Sequence, residues 1–426
     1  MAVILFGSLA VLLLLNVPIA VSMGLSCFFA LSFEGGGTPL TMIPQRIFTS
    51  MDSFPFMAVP FFMLAGGLMQ SGGISKRLID FAKNIVGALP GGLGVITVLS
   101  SAFFGALTGS NAATVAAIGG TMVPAMEEAG YDSDFACAIT ASAGTLGVVV
   151  PPSVPMITYG IISGVSIGAL FLAGFIPALI MVIMLSLTII LLAKKHNLPR
   201  EKISLKDLVR SFINAILALL MPIIILGGIY GGVFTPTEAA AVAVVYSLII
   251  SLFVYREIRI ADLHDIIIKA GKNTAIVLFI IATSGAFSWL LTSHGIPAMI
   301  SQAILKISNN PTVIMLLINV LLLILGVFLE TNAIILLVTP ILLPIVTQIG
   351  VSPLVLGIVM VVNTSVGMTT PPMALNVIIA SSIGNQSIEQ VSRKIVPFLL
   401  VLILCVLIIT FIPNLITFLP KALGLI

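Results

Sequence analysis

"GTLGVVVPPSVPM", residues 144–156, places two glycines and a pair of adjacent prolines inside an otherwise apolar stretch, and "SVGMTTPPMALN", residues 365–376, repeats the pattern. Proline has no backbone N–H, so it leaves a carbonyl one turn upstream without a helical partner. At membrane depth, such backbone persists only where protein, water or a ligand satisfies it. We therefore predict two membrane helices that are broken at the prolines to form a site. Kinking for packing alone is the alternative.

The composition decides the class of protein. Hydrophobic residues make up 59% of the 426 positions and charged residues 8%, and the mean hydropathy is +1.26. Soluble domains carry about 25% charged residues. Many segments exceed the roughly 18 apolar residues of a spanning helix, which predicts an all-α polytopic membrane protein. Residues 1–20 have no charged leader and are expected to form a retained first span.

An internal repeat appears when the second Pro-Pro pair is placed on the first. Twelve residues between 124 and 177 are Gly or Pro, and for seven of them the residue 220 positions later is the same amino acid. We interpret this as a duplication. A single linking helix, about 211–232, turns the second half over, which is the inverted-repeat architecture of secondary transporters.

The placement of Lys and Arg predicts the orientation, because cytoplasmic loops collect these residues. "KKHNLPREKISLKDLVR" (194–210) and "YREIRIADLHDIIIKAGK" (255–272), which hold ten of the eighteen Lys and Arg, are assigned to the cytoplasm. The layout that follows places fifteen of the eighteen there, all except Arg46, Lys306 and Lys421. The N-terminus is then cytoplasmic and the C-terminus periplasmic.

Before each broken helix lies a pair of helices of 14 to 16 residues, shorter than the roughly 20 that a span requires. We predict re-entrant hairpins that enter from opposite sides, with tips at "TGSN" (108–111) and "LETN" (329–332). The predicted arms are 95–108, 112–126, 313–328 and 333–347. Carbonyls freed at the breaks suit a desolvated Na⁺, and the half-helix after each break presents a positive dipole end to an anion.

Two stretches next to the hairpins are amphipathic. "SKRLIDFAKNIVGAL" (75–89) and "PAMISQAILKIS" (297–308) mix charged or polar residues with apolar ones, as interfacial helices do. They are expected to be arm helices that connect a scaffold to a moving domain. For the first, a plain cytoplasmic loop is the alternative.

Several ordered motifs carry a family resemblance. "FFGALTGSNAATVAAIGGTMVPAMEEAGY" (103–131), "ETNAIILLVTPILLPI" (330–345) and "GMTTPPMALN" (367–376) resemble the DctM-type large membrane subunit of tripartite ATP-independent periplasmic (TRAP) transporters, over nearly the whole chain. The resemblance implies a Na⁺-coupled elevator importer in the bacterial inner membrane. It also implies two partners, a periplasmic substrate-binding protein and a small four-helix membrane subunit.

The resemblance further implies which residues form the sites, with at least two Na⁺ ions and no other cofactor. The first sodium site comprises Thr108, Ser110 and the carbonyls of Gly147, Val150 and Pro152. The second comprises Gly326, Thr331, Asn332 and the carbonyls of Gly367, Thr370 and Met373, with Glu330 as a coupling residue. The substrate lies near Ser110, Asn111, Ser153, Asn363, Thr369 and Asn376. For each hydroxyl or amide, helix packing is the alternative role.

The predicted domain boundaries follow the repeat. Residues 93–168 and 313–386 form the two halves of the transport domain; residues 1–92, 169–312 and 387–426 form the scaffold and its arms. No Lys or Arg falls within the predicted cavity, so helix dipoles, Na⁺ and hydroxyls are expected to hold the acid.

The leading functional prediction is Na⁺-driven import of an organic acid, such as sialic acid or a C4-dicarboxylate. A one-component Na⁺/dicarboxylate symporter or anion exchanger is the first alternative, and an ion channel, which also uses re-entrant segments, is the second. The absence of G-x-x-x-x-G-K-[ST] argues against an ATP-driven pump. The predicted spans contain no nucleophile–base pair of the kind that an enzyme would use. No nucleic-acid partner is expected.

Overall fold

The computed structural model describes residues 1–33, 39–196, 205–308 and 310–426, and within these ranges every regular element is a helix. Residues 197–204 of the predicted cytoplasmic anchor lie outside the described part. Eight of the described helices are long and apolar enough to cross a membrane, and a ninth span results if one bent pair is counted. The chain is therefore a multi-pass membrane protein, as its composition predicts.

The first four helices are α1 (Ala2–Leu14), α2 (Ile19–Phe33), α3 (Met42–Met51) and α4 (Ala58–Ser71), the last preceded by a 3₁₀ turn over Phe54–Met57. The expected single first span over residues 1–20 is wrong, because α1 ends at Leu14 and α2, which packs against it, begins at Ile19. Asn16 lies between them with a positive φ of 60°, a conformation that asparagine tolerates better than most residues. Pro18 cannot donate within a continuous helix.

Two series of helices with the same order follow, one in each half of the chain. The first consists of α5 (Ile74–Val86), α6 (Gly92–Thr108), α7 (Asn111–Glu128), α8 (Ser133–Ala143), α9 (Leu146–Val149), α10 (Val154–Ser163) and α11 (Ile167–His196). Linking helices are α12 (Leu205–Tyr230), α13 (Pro236–Ile249, extended by a π-helical turn to Val254) and α14 (Asp262–Ser293). The second series consists of α15 (Ile296–Ile307), α16 (Pro311–Phe328), α17 (Thr331–Gln348), α18 (Pro353–Gly367), α19 (Leu375–Ile383), α20 (Ile388–Phe411) and the appended α21 (Asn414–Ala422).

Each series begins with an amphipathic arm, which the sequence predicts as α5 and α15. In α5, Ile74, Leu78 and Ala82 are buried on one face, whereas Lys76 and Lys83 are not. This separation of buried apolar side chains from unburied lysines arises because the stretch is helical, so the prediction of a plain cytoplasmic loop is wrong.

Both hairpins turn where the sequence predicts, with two-residue tips at Gly109–Ser110 and Leu329–Glu330. Their arms are longer than predicted, at 17 residues for α6 and 18 for α7, α16 and α17, or about 26 Å at 1.5 Å per residue. The difference arises mostly at the helix starts, and α7 and α17 also extend one or two residues past their predicted ends. Gly91 takes a positive φ of 69° and lets α6 begin within a glycine-rich stretch that is easily mistaken for a loop.

Both broken helices are present as predicted. α9 ends at Val149 and α10 begins at Val154, with a bend of 41°. In the second copy the interruption is longer, from Met368 to Ala374. The Pro151–Pro152 and Pro371–Pro372 peptide bonds are both cis.

The two halves interlock around the breaks. Each hairpin packs its first arm on its own broken helix, α6 on α8 and α9 and α16 on α18. It packs its second arm on the half-helix of the other repeat, α7 on α19 and α17 on α10. The Ser365 hydroxyl donates to the Thr145 carbonyl at 2.7 Å, so positions 220 residues apart meet directly. Hairpins and breaks therefore form one body.

A second group of helices packs together beside this body. α14 contacts α2, α3 and α4, and α13 contacts α4 and α12. The two groups meet where α4 contacts α6 and where α14 contacts α17. The long helices α11 and α20, which the predicted boundaries assign to the scaffold, pack on α8, α9 and α18. The division into domains stays a prediction.

Candidate functional site

The two hairpin tips converge on one cavity of about 320 Å³ that lies between them and the helices α4 and α14. The tips contribute Thr108, Gly109, Ser110, Glu330 and Asn332, and Val154 at the start of α10 adds to the same wall. The opposite wall is formed by residues of α4 and α14, among them Met63, Gly66, Gln70, Ser71, Ile266, Lys269 and Asn273. The cavity thus joins the two halves of the chain to the second group of helices.

The cavity contains a lysine, which corrects the expectation that no Lys or Arg lines it. Lys269 falls in a segment that the sequence assigns to a cytoplasmic loop, but α14 already begins at Asp262 and carries Lys269 along the wall. Asn273, four residues on, lies on the same helical face. Of the residues that the structure describes, the charged ones lining this cavity are Lys269 and Glu330.

Oxygen atoms of the first tip and the first break lie close together. Thr108 Oγ1 is 3.4 Å from Thr114 Oγ1, and Thr114 Oγ1 donates to the Ser110 carbonyl at 2.8 Å. Gly147 packs directly on this tip, since a Cβ there would lie 2.5 Å from the Ser110 carbonyl oxygen. The N–H that would reach the Gly147 carbonyl in a helix is missing because Pro151 has none. Thr108, Ser110 and Gly147 are therefore brought together, and Thr114 joins them.

The second tip has a matching contact between backbones. A Cβ at Gly326 would lie 2.9 Å from the Cα of Gly367, so hairpin and break touch through glycine. Thr331 is fully buried, with its hydroxyl 3.4 Å from the sulfur of Met368. The structure thus places Gly326 against Gly367 and Thr331 beside Met368, the residue after Gly367; their role as a sodium site stays a prediction.

Glu330 caps the start of α17 and orders the second tip. It accepts from the backbone N–H of Asn332 at 3.2 Å and from the Asn332 side-chain amide at 3.0 Å. The Asn332 side-chain oxygen Oδ1 accepts from the Thr158 hydroxyl of α10 at 3.4 Å, which ties the second tip to the first broken helix.

The remaining predicted ion ligands lie within the breaks. Val150 is the C-cap of α9, which ends at Val149, and Pro152, two residues further on, is buried. Thr370 donates its hydroxyl to the Val366 carbonyl at 3.1 Å. The Met373 side chain is 59% exposed, so this part of the second break lies at the surface.

Sequence reasoning missed Gly105, which forms the first-repeat counterpart of the Gly326 contact. A Cβ at Gly105 would lie 2.9 Å from the Cα of Gly147. Only glycine permits such a close approach of two backbones. Gly105 and Gly326 are 221 residues apart rather than 220, and this shift of one residue hides the match in a fixed-offset comparison.

The predicted substrate residues fall into two groups. Ser110 lines the cavity, whereas the other five are buried and donate or accept hydrogen bonds within the protein. The Asn111 amide donates to Ser365 at 2.8 Å and its carbonyl accepts from the Val148 N–H at 3.1 Å, so it joins the first tip to both broken helices. The others bond as follows: Ser153 to Val148, Asn363 to Asn319, Thr369 to Val366 and Asn376 to Ala141.

Comparison with known families supplies the identification. The family model of the DctM component of tripartite ATP-independent periplasmic transporters matches residues 6–415. The chain belongs to this family. The DctM resemblance that the motifs around both tips and breaks carry is confirmed.

Named relatives in the DctM family differ in substrate. The isethionate TRAP transporter permease of Oleidesulfovibrio alaskensis is 43% identical over 96% of this chain, which spans 65% of that protein's length. A C4-dicarboxylate large permease of Pseudomonas aeruginosa is 40% identical, with 89% of each chain covered. A sialic acid large permease of Vibrio cholerae is 36% identical, covering 98% of this chain and 97% of that one.

Among solved structures, the YdaH transporter of Alcanivorax borkumensis has a similar fold. The TM-score is 0.62 at 15% sequence identity, and 86% of each chain is covered. This likeness shows the fold alone.

Proposed function

We propose that this DctM-family chain is the large permease of a TRAP system that imports an organic acid across the bacterial inner membrane, driven by Na⁺. A periplasmic substrate-binding protein delivers the acid, and a small four-helix membrane subunit accompanies the permease. The observation that carries the proposal is the convergence of two hairpin tips, one from each inverted half, on a single cavity.

The chemistry of the tips supports Na⁺ as the coupling ion. Hydroxyl and carbonyl oxygens of Thr108, Thr114, Ser110 and Gly147 form the first group, and hard oxygen donors of this kind suit alkali and alkaline-earth cations. Thr331, Asn332 and the Gly367 backbone form the second group, with the Glu330 carboxylate adding a negative charge beside it. Two such groups predict at least two Na⁺ ions.

The anionic group of the acid is placed at the first tip. α7 starts at Asn111 behind the neutral Ser110, and α10 starts at Val154 on the same wall. Helix N-termini attract anions. The N-terminus of α17 is already covered by its own Glu330 carboxylate, which repels a second anion. A small carboxylate or sulfonate that also carries hydroxyl groups fits this lining, in keeping with the names of the relatives.

Transport requires the body of hairpins and broken helices to move past α1–α4 and α12–α14. At about 26 Å, the hairpin arms are a few Å shorter than the roughly 30 Å hydrocarbon core. We therefore assign them as re-entrant, which takes α16 and α17 out of the eight candidate spans. Because α11 and α20 pack on the broken helices, we place them in the moving body, which revises the predicted boundaries at 169–312 and 387–426.

Reconstitution tests this function. The permease, its small subunit and its binding protein are combined in liposomes, and uptake of isethionate, succinate and N-acetylneuraminic acid is measured with an inward Na⁺ gradient or with choline. We expect uptake of at least one acid that requires both Na⁺ and the binding protein. Uptake without the binding protein identifies the one-component symporter instead, and an ionic conductance far above transporter turnover identifies a channel.

A further inference from the structure

The polar groups of the cavity lie at two levels. Thr108 and Asn332 at the tips are buried, whereas Gln70, Lys269 and Asn273 on α4 and α14 are exposed. The exposed group therefore surrounds the mouth of the cavity.

The mouth opens at the basic end of the molecule. Ser71, which ends α4, lies at the mouth, and Arg77 just beyond it pairs with Glu257 at 3.3 Å. Glu257 belongs to the Lys- and Arg-rich segment 255–272. Since such segments are cytoplasmic, the mouth faces the cytoplasm.

We propose that Lys269 forms a release site for the transported acid, a fixed anion-binding position between the hairpin tips and the cytoplasm. The inference rests on the proposed function and names the step in which the residue acts. Lys269 makes no ion pair with Glu330 or with another described acidic residue. Its ammonium group is therefore available to an anion in the cavity, and Asn273 on the same face offers an amide donor.

The position of Lys269 on α14 limits its contact with the acid to one state. α14 packs mainly with α2, α3 and α4 and meets the hairpin body at α17. In the proposed motion α14 stays with α2–α4, so Lys269 does not travel with the tips. It meets the acid only when the tips stand beside α14, as they do here.

Glu330 and Lys269 carry opposite charges at different positions in the cavity, which favours movement of an anion toward Lys269. Glu330 lies at the second tip, on the inner side, and Lys269 lies at the mouth. When Na⁺ leaves the second tip, the carboxylate is no longer offset and repels the acid, while the ammonium group attracts it outward. The acid therefore moves from the first tip to Lys269 and then into the cytoplasm.

The charge of Lys269 is testable by the reactivity of a nearby thiol. Asn273→Cys is introduced into the full complex in inside-out vesicles and labelled with anionic sulfonatoethyl and cationic trimethylammonioethyl methanethiosulfonate. The native Cys27, Cys137 and Cys405 are buried, and the parent without the introduced thiol gives the background. We expect the anionic reagent to be favoured, and the added Lys269→Gln change to reduce its rate relative to the cationic one by about threefold to tenfold.

Lys272 provides the matched control, because it lies one turn away on α14, is exposed and does not line the cavity. Lys272→Gln is expected to change the ratio of the two rates less than Lys269→Gln does, because Lys272 is next to the thiol but does not line the cavity. Equal ratios with and without Lys269→Gln would overturn the proposal. So would labelling of the Asn273→Cys thiol only from the periplasmic side.

Protection by acids separates a release site from a general effect of charge. Isethionate, succinate and N-acetylneuraminic acid are each added on the cytoplasmic side with Na⁺. We expect at least one to slow labelling of the Asn273→Cys thiol, with a half-protecting concentration about tenfold higher in Lys269→Gln and restored towards the parent in Lys269→Arg. No protection, or protection that ignores Lys269, contradicts the proposal.

Failure of the transport function and failure of the release site at Lys269 give different results. If the reconstituted parent shows no Na⁺-dependent acid uptake, the proposed function fails whatever the labelling shows. If the parent transports an acid and Lys269→Gln behaves like the parent in both labelling tests, only the release site fails.

Discussion

At the residue scale, glycine decides how closely each hairpin approaches its broken helix. Gly105 meets Gly147 in the first half, and Gly326 meets Gly367 in the second. In both pairs the space for a Cβ is already occupied by backbone, which cannot rotate away as a side chain can. This contact brings the carbonyls of a break against the hydroxyls of a tip.

Gly105→Ala is expected to force α6 away from the first break, because its Cβ would lie 2.7 Å from the Leu146 carbonyl oxygen. Overpacking of this kind typically costs about 1–3 kcal/mol. We expect a lower midpoint of thermal unfolding in detergent. Gly120→Ala on α7 is the control, since nothing lies within 4 Å of its Cβ and alanine is the better helix former. A midpoint for Gly105→Ala at or above that of the parent would contradict the packing.

Thr114 is a cation ligand candidate that only the structure reveals. Thr114→Val removes the hydroxyl that lies 3.4 Å from Thr108 Oγ1 while keeping the shape of the side chain. We expect the Na⁺ concentration for half-maximal uptake to rise about tenfold, which corresponds to about 1.4 kcal/mol. Thr121→Val, an exposed position on the same helix, is expected to leave it unchanged. An equal Na⁺ dependence in both variants would remove Thr114 from the site.

At the element scale, the breaks, the tips and the arm helices were predictable, because each depends on local chemistry. The adjacent prolines at 151–152 and 371–372 each remove two backbone donors and interrupt their helices, whereas single prolines such as Pro124 and Pro177 lie inside continuous helices. The apolar face of α5 is predictable from the spacing of its apolar residues. The lengths of the hairpin arms were not predictable from the sequence, because Gly91 and Pro311 stand at the starts of helices here, whereas glycine and proline often end helices in other proteins. Lys269 was missed for the same reason, because α14 starts inside a charged segment that resembles a loop.

A disulfide between α11 and α12 tests whether α11 belongs to the moving body. A Cβ at Gly168 would lie 3.4 Å from Ile229 Cγ2, so Gly168→Cys with Ile229→Cys is within reach of a crosslink. We expect oxidation to stop uptake and reduction to restore it, because the bond fastens the moving body to α12.

Gly24→Cys with Thr283→Cys is the control, joining α2 to α14 across 3.8 Å within one group of helices. Its oxidation is expected to leave uptake intact. If the crosslink between α11 and α12 forms and uptake continues, α11 is part of the scaffold, as the original boundaries had it.

At the scale of the whole molecule, the internal duplication and the assignment as a membrane protein follow from the sequence. The direction in which an individual side chain points, into the cavity or into the protein core, does not. Asn111 and Asn376 have the chemistry of substrate ligands, yet both are buried in contacts between the two repeats. Those contacts exist because α7, α8 and α9 of the first repeat pack on α18 and α19 of the second, and no local sequence pattern predicts this packing between the halves. Ser110 remains at the cavity because it lies at the tip itself.

In the proposed function the two breaks, each closed by a hairpin tip, hold separate Na⁺ ions that travel with one acid. Uptake of ²²Na⁺ and of radiolabelled acid by the reconstituted complex is measured at the same time. We expect at least two Na⁺ ions for each acid molecule. A ratio of one, or acid uptake without any Na⁺ entry, would contradict this expectation.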